Sequence, residues 1–298
     1  MVRNLNEARG TLLVLMTALI SGAAIVINKF FVVSIDPLLF TAMRALFIGI
    51  IFFFISLYFA RSSGKKFNKV SWKYLVLIGV VGGSIAFWMF FTGLKMTMAG
   101  RAAFLHKTLP IYATVLAVIF LKERVSKKQL IALVVMLVGL LLMQLTKISF
   151  DVRVGDLLVL GATILWAAEN TISKKVMLNK ESNWVVTFSR MFFGSLILFA
   201  MIFLMGKVDL FLALTGRQLV YIAVSGGLLF GYVLTWYWGL KYINLSKAST
   251  ILLLAPVISL VLGFAWLGEQ IFVLQIVGSI LILGGAFVVA RMKSEKRG

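Results

Sequence analysis

The chain has 298 residues, of which 61% are apolar and 13% charged, with a mean hydropathy of +1.04. A soluble domain carries roughly 45–50% apolar and ~25% charged residues, and much of its surface must still meet water, so this composition excludes a water-soluble fold. The net charge is +20, but the bases lie in short segments between long apolar runs, which points to membrane topology and not to nucleic-acid binding.

A membrane helix needs about 20 mainly apolar residues to cross the hydrocarbon layer. Ten such stretches follow one another along the chain: 10–33, 37–60, 72–96, 99–121, 129–146, 155–178, 183–205, 219–242, 246–267 and 272–291. They leave no room for a soluble domain. The first is too long for a cleaved signal peptide and no small-residue cleavage motif follows it, so it is expected to be retained. With the N-terminus inside, 19 lysines and arginines fall on the cytoplasmic side. Only 6 fall on the other: Lys95, Arg101, Lys147, Arg153, Lys207 and Arg217. This bias predicts a multi-pass protein of the cell membrane with both termini in the cytoplasm, which an even number of crossings allows.

The two halves match at a shift of about 146 residues. Thr41 matches Thr187, Arg44 matches Arg190, Gly93-Leu94-Lys95 matches Gly239-Leu240-Lys241, and Gln129 and Gly139 match Gln275 and Gly285. Rare residue types decide the case: of three prolines, Pro110 and Pro256 occupy the same place in the two halves, and Glu123 matches Glu269. Each half, 10–146 and 155–291, holds five spans, and an odd number of crossings forces the second half to enter from the opposite face. The predicted fold is all-α: ten transmembrane helices arranged as two inverted five-helix repeats. In transporters so built, the substrate site lies near the midplane between the halves.

On Pro110…Leu121-Lys122-Glu123 and Pro256…Leu267-Gly268-Glu269, with the matched Gln and Gly residues, the chain resembles the ten-helix, EamA-type branch of the drug/metabolite transporter superfamily over nearly its whole length. The resemblance implies a carrier fold with the two proline helices beside a central cavity. It says little about the substrate, because the family carries amino acids, sugars, nucleotide precursors and drugs.

Pro110 and Pro256 each remove an intrahelical hydrogen bond and should kink the fourth and ninth spans, either as gating elements or as packing kinks. Glu123 and Glu269 precede the fifth and tenth spans and should complement the positive N-terminal end of the next helix. Glu169 is the one carboxylate deep in a span, where charge is costly and marks a pathway or a partner. It reads as a proton-coupling or cation-binding group, or as half of an inter-helix salt bridge for which Lys107 is the natural partner. The small multidrug-resistance branch of the same superfamily is similar in having one essential glutamate in its first helix; here the repeat partner of Glu169 is Ala24. Asn170 can orient a ligand or bond a neighbour. His106 and Lys107 lie one turn before Pro110.

Arg44 and Arg190 form a matched pair about 10 Å into their helices, from which depth a long side chain can snorkel as an anchor or, alternatively, bind an anionic substrate. Lys29 and Lys174 read as snorkelling residues as well. Trp88, Tyr232 and Trp236 lie away from the loops and can wall a site for apolar amino acids or organic cations, or pack the core. Gly79 with Gly83, and Gly227 with Gly231, allow close helix approach.

With no cysteine and a single histidine, His106, no disulfide, thiol nucleophile or multi-histidine metal centre is available. No Gly-rich phosphate loop appears, so no cofactor or ATP is expected. The leading reading is a secondary carrier of a small metabolite, an amino acid or related compound, exported by alternating access with possible proton coupling at Glu169. The alternative keeps the fold and changes the cargo to an organic anion or phosphorylated metabolite. An intramembrane enzyme is remote, because Asp36, Asp151, Asp156 and Asp209 lie at or beyond span ends. The expected partners are a small-molecule substrate and membrane lipid, with the oligomeric state left open.

Overall fold

The structure, a computed structural model, describes residues 2–32, 34–63, 72–97, 99–145 and 153–294. Lys65, Lys66, Lys69, Lys147, Asp151, Lys296 and Arg297, which entered the topology and enzyme arguments, lie outside the described residues, as do the side chains of Arg3, Lys29 and Lys95.

Long apolar runs without a polar break have one way to satisfy their backbone in lipid, and that is to close every hydrogen bond within the segment as a helix. The first half folds as α1 (Val2–Val32), α2 (Pro37–Ser63), α3 (Trp72–Ile78), α4 (Ala86–Met96), α5 (Ala99–His106), α6 (Leu109–Leu121) and α7 (Lys127–Gln144). The second half comprises α8 (Val154–Leu178), α9 (Asn183–Leu204), a short α10 (Asp209–Leu212), α11 (Gly216–Tyr242), α12 (Leu245–Ile251), α13 (Ala255–Leu267) and α14 (Val273–Arg291). A π-helical segment, Gly79–Ile85, joins α3 to α4.

Among the described residues, nine stretches are long and apolar enough to cross a membrane. The expected span at 155–178 is present as the 25-residue α8 but is not one of these nine, because Asp156, Glu169, Asn170, Lys174 and Lys175 dilute its hydropathy. Two of those polar residues, Glu169 and Asn170, belong to the site. The two proline spans are interrupted. The fourth breaks at Lys107–Thr108 between α5 and α6, and the ninth passes from α12 through a 3₁₀ turn, Leu252–Leu254, into α13. Both α6 and α13 end on a left-handed residue at equivalent repeat positions, Lys122 (φ 53°) and Gly268 (φ 64°). Glycine takes that conformation freely, whereas lysine there costs about 1–2 kcal/mol.

Packing follows the repeat. α2 packs on α9 and α7 on α14, each helix against its own counterpart, while α1 packs on α11 and α4 on α8. Exchanging the halves maps the first two contacts onto themselves and the last two onto each other. The close approaches obey the same exchange: a Cβ on Gly10 would lie 3.3 Å from the Gly239 carbonyl oxygen, and one on Gly155 would lie 2.7 Å from that of Gly93. Large apolar side chains such as Ile119, Phe120, Phe203 and Phe287 are exposed on the outer surface, while Ser, Thr and Gly fill helix contacts. This is the arrangement expected where lipid, not water, surrounds the bundle.

Candidate functional site

The site begins with Glu169 on α8. Its side chain is fully buried, and it is there because α3 turns π-helical opposite it. The π segment presents Gly82, on which a Cβ would lie 2.2 Å from Glu169 Cγ, so only glycine leaves room for the carboxylate. Gly83, beside it, lets α9 approach, since a Cβ there would meet the Arg190 carbonyl oxygen at 2.2 Å. The Gly82 carbonyl oxygen accepts a hydrogen bond from Trp166 Nε1 at 3.0 Å. The expected small-residue pair at Gly79 and Gly83 thus packs on α9, while Gly227 meets nothing within 4 Å and Gly231 meets Ile20.

Glu169 Oε1 accepts from Ser173 Oγ and from the Tyr237 hydroxyl, both at 2.6 Å. Its Oε2 lies 3.6 Å from Arg190 Nη2, and Arg190 Nη1 donates to the Tyr237 hydroxyl at 3.3 Å. The partner of Glu169 is therefore Arg190 of α9, not Lys107. At that distance and an effective dielectric of ~20, the attraction is about 5 kcal/mol. The carboxylate is charge-compensated and sits behind the cavity wall rather than on it.

The main cavity holds about 510 Å³ and is enclosed by α1, α2, α4, α5, α6, α8, α9, α11 and α12. Of the residues singled out from the sequence, Arg44, His106, Lys107, Pro110, Asn170, Arg190 and Tyr232 line it. Neither arginine snorkels: both are buried, and Arg44 stacks on the Phe40 ring with its guanidinium carbon 4.4 Å from the centroid. Arg44 Nη1 donates to Ser225 Oγ at 2.9 Å, which in turn donates to Asn28 Oδ1 at 2.6 Å. Its Nε has no partner, and among the described residues no carboxylate lies within ion-pairing distance. Lys107, held at the break between α5 and α6, makes no hydrogen bond or ion pair through Nζ among the described residues. No Asp or Glu lines the cavity.

The aromatic wall differs from the expected one. Trp88 is 37% exposed on the outer surface, because one residue along a helix is a turn of about 100°, and Phe87, Phe90 and Phe91 face inward instead. Phe90, Trp166 and His106 form an aromatic cluster, with the imidazole 4.9 Å from the Trp166 ring and its Nδ1 without a partner. Trp236 lies behind the wall and orients it, since its Nε1 donates to Asn170 Oδ1 at 2.8 Å. Asn170 Nδ2 donates to the Trp166 carbonyl oxygen, which completes the amide's fixation.

A second cavity of about 170 Å³ shares Ile25, Ala103 and Lys107 with the first and is walled by Pro256, Gln144, Ser259, Glu269 and Gln275. Pro256 thus lines this smaller space, and Lys107 stands at the junction of the two.

The end of the bundle that carries the termini is tied shut by polar contacts. Glu123 does not cap α7, whose N-cap is Ser126; it accepts from the N–H groups of Leu245 and Ser246 at 2.8 and 3.0 Å and from Ser246 Oγ, and so caps α12 across the repeat. Lys174 is buried and donates to the carbonyl oxygens of Leu240 and Ile243, so it does not snorkel. Lys247 pairs with Glu7 at 2.8 Å, which also holds Ser294 near the C-terminus. At the other end, Arg101 of α5 pairs with Asp156 of α8 at 3.0 Å. Each of these two ion pairs joins one half to the other.

The residues missed in the sequence are those whose role is set by a partner: Ser173 and Tyr237 on Glu169, Asn28 and Ser225 on Arg44, and Gly82 as the space for a carboxylate. Ser173 alone left a signal, four residues after Glu169 on one helix face.

The sequence profile of the EamA-like transporter family matches residues 8–145 and again 153–291. The chain is 30% identical to the uncharacterized transporter YoaV of Bacillus subtilis over 92% of its own length and 94% of the relative's. It is 25% identical to the probable amino-acid metabolite efflux pump of Salmonella typhimurium, with 93% of each chain covered. A crystal structure of a protein 18% identical in sequence superposes with a TM-score of 0.78 over 95% of this chain and 98% of the other.

Proposed function

The chain belongs to the EamA-like transporter family, and from this we propose that it is a secondary carrier that moves a small metabolite across the cell membrane by alternating access. The reading takes the two matched halves, 10–146 and 155–291, as five-helix repeats of opposite orientation, ten crossings in all, with both termini in the cytoplasm. The pairing of α2 with α9, α7 with α14, and α1–α11 with α4–α8 supports it, because a two-fold axis in the membrane plane exchanges these contacts.

One observation carries the proposal: a 510 Å³ cavity lies between the halves, walled by helices of both and bordered by the break at Lys107–Thr108. Interrupted helices beside a midplane cavity are how secondary carriers expose backbone and charge to cargo. Rocking the halves would break the ion pairs Lys247–Glu7 and Arg101–Asp156 in alternation, opening one end at a time. The name of the Salmonella relative agrees with export of an amino-acid-derived compound. The organic-anion alternative is favoured by Arg44 and Lys107, cations without a carboxylate partner on a cavity wall that has no acid among the described residues.

The test is counterflow in vesicles of purified protein. Saturable uptake that is accelerated by cargo preloaded on the opposite side is expected. Uptake that rises linearly with concentration and ignores the opposite side would replace the carrier with a channel.

A further inference from the structure

We infer that the cavity selects a carboxylate with an apolar, aromatic-sized body, anchored by Arg44 and Lys107, and that it discriminates against a free amine. The inference rests on the carrier reading for its cargo's path but on the charge of the wall for its chemistry.

A guanidinium has five N–H donors, and among the described residues that of Arg44 makes one hydrogen bond, to Ser225. Side chains do not hold a buried cation so under-satisfied without cost, since desolvation is offset only by an acceptor or a counter-charge. Arg190, its repeat counterpart, has both, in Tyr237 and Glu169. Among the described residues, Arg44 has a neutral serine and the Phe40 face, and Lys107 Nζ is bonded to neither acid nor carbonyl. Both cations line the same cavity, and both are at least nine-tenths buried. The missing counter-charge is supplied by what binds there.

A planar carboxylate matches a guanidinium edge and gains charge-assisted hydrogen bonds from it. An ammonium meets no acid on this wall, because Glu169 is behind it and spent on Arg190, Ser173 and Tyr237. The rest of the cargo must be apolar: Phe87, Phe90, Phe91, Trp166 and Leu229 present rings and alkyl carbon to the same space.

The experiment is calorimetric titration of the full-length protein in detergent with four probes: 3-phenylpropionate, L-phenylalanine, phenethylamine and inorganic phosphate. 3-Phenylpropionate should bind tightest, phenylalanine more weakly and phenethylamine least. Arg44→Gln and Lys107→Met should each weaken 3-phenylpropionate about ten- to a hundredfold, the loss expected for a charged hydrogen bond. Lys107→Met keeps the chain length and apolar stem, and it is read alongside Arg44→Gln in case the latter does not fold. Phenethylamine binding tighter than 3-phenylpropionate overturns the inference, as does 3-phenylpropionate binding untouched by either variant. Phosphate binding as tightly as 3-phenylpropionate overturns the requirement for an apolar body. The carrier reading fails separately, if 3-phenylpropionate binds as expected but shows no counterflow in vesicles.

Discussion

Replacing Glu169 with glutamine tests whether this carboxylate is half of a structural ion pair or a free acid that couples protons to transport. Glutamine preserves shape and leaves an oxygen for Ser173 and Tyr237 to donate to, so the two bonds at 2.6 Å can survive. What it removes is the charge 3.6 Å from Arg190, an attraction of about 5 kcal/mol at a dielectric of ~20. Arg190 is then a buried cation with one hydroxyl partner, a change that in other proteins costs 3–5 kcal/mol. Replacing both partners by neutral groups removes the stranded charge, so Glu169→Gln with Arg190→Met should recover most of the loss. Thermal unfolding of the four proteins in detergent, read as a double-mutant cycle, should give a coupling of about 2 kcal/mol or more. A Glu169→Gln protein as stable as the parent, or losses that simply add, would refute the ion-pair assignment. A vesicle assay on the same variants decides the coupling role: full coupling to a pH gradient with glutamine at 169 removes Glu169 from proton transfer.

The π segment gives a second test. Gly82→Ala places a Cβ 2.2 Å from Glu169 Cγ and 2.9 Å from its Cβ and should destabilise by about 3–5 kcal/mol through the broken pair, yet cost far less in a Glu169→Gly background, where those atoms are gone, as thermal unfolding in detergent can show. Glu123→Ala removes the acceptor of two α12 N–H groups and should loosen the end that carries the termini by about 1–2 kcal/mol. Because the chain has no native cysteine, a single cysteine introduced at Ala248 should label faster with a soluble maleimide in that variant, and equal rates would contradict the sealing role. Asp36 gives a pH test in the loop before α2. Burial alone would raise its carboxyl, but hydrogen bonds from the Leu38 N–H and from Lys207, with the charge of Lys207 and a bond from the Leu39 N–H, hold it below its ordinary 3.8. A lowered carboxyl stabilises the fold above the unfolded value and loses that contribution as pH falls through the folded one. Stability between pH 5 and 3, measured by unfolding, should therefore fall less in Asp36→Asn than in the parent, the difference approaching the ~1 kcal/mol of a helix cap.

The membrane class was legible because it rests on composition. Hydropathy finds a helix by its average, so ten runs could be marked without knowing their neighbours. The same average passes over α8, because the residues that carry the site are the ones that make a span polar. What hydropathy does not carry is rotation about the helix axis. Trp88 was the conspicuous aromatic on the third span, but Phe87, Phe90 and Phe91 face the cavity, and a difference of one position decides it. Depth misled in the same way. Arg44, Arg190 and Lys174 are near enough to span ends to reach water on length alone, yet each has an acceptor or a ring within the bundle and stays there.

The charge of the cavity follows from one asymmetry between the halves. The two matched halves carry an arginine each, at 44 and at 190, and identical halves would give both the same surroundings. Only the second half has an acid deep within its first helix: Glu169 stands where the first half has Ala24. Glu169 takes up Arg190, and Gly82 in the π segment gives it room to do so. Ala24 lines the cavity but has nothing to offer Arg44, so the duplicated arginine is left with Ser225 and an open space beside it. One substitution between duplicated helices thus turns one arginine into scaffold and its twin into a site. Placing an acid at the vacant position, Ala24→Glu, should satisfy Arg44 from within and abolish 3-phenylpropionate binding while leaving the protein folded. Binding that persists at the parental affinity in a folded Ala24→Glu protein would mean that Arg44 is not where the anion sits.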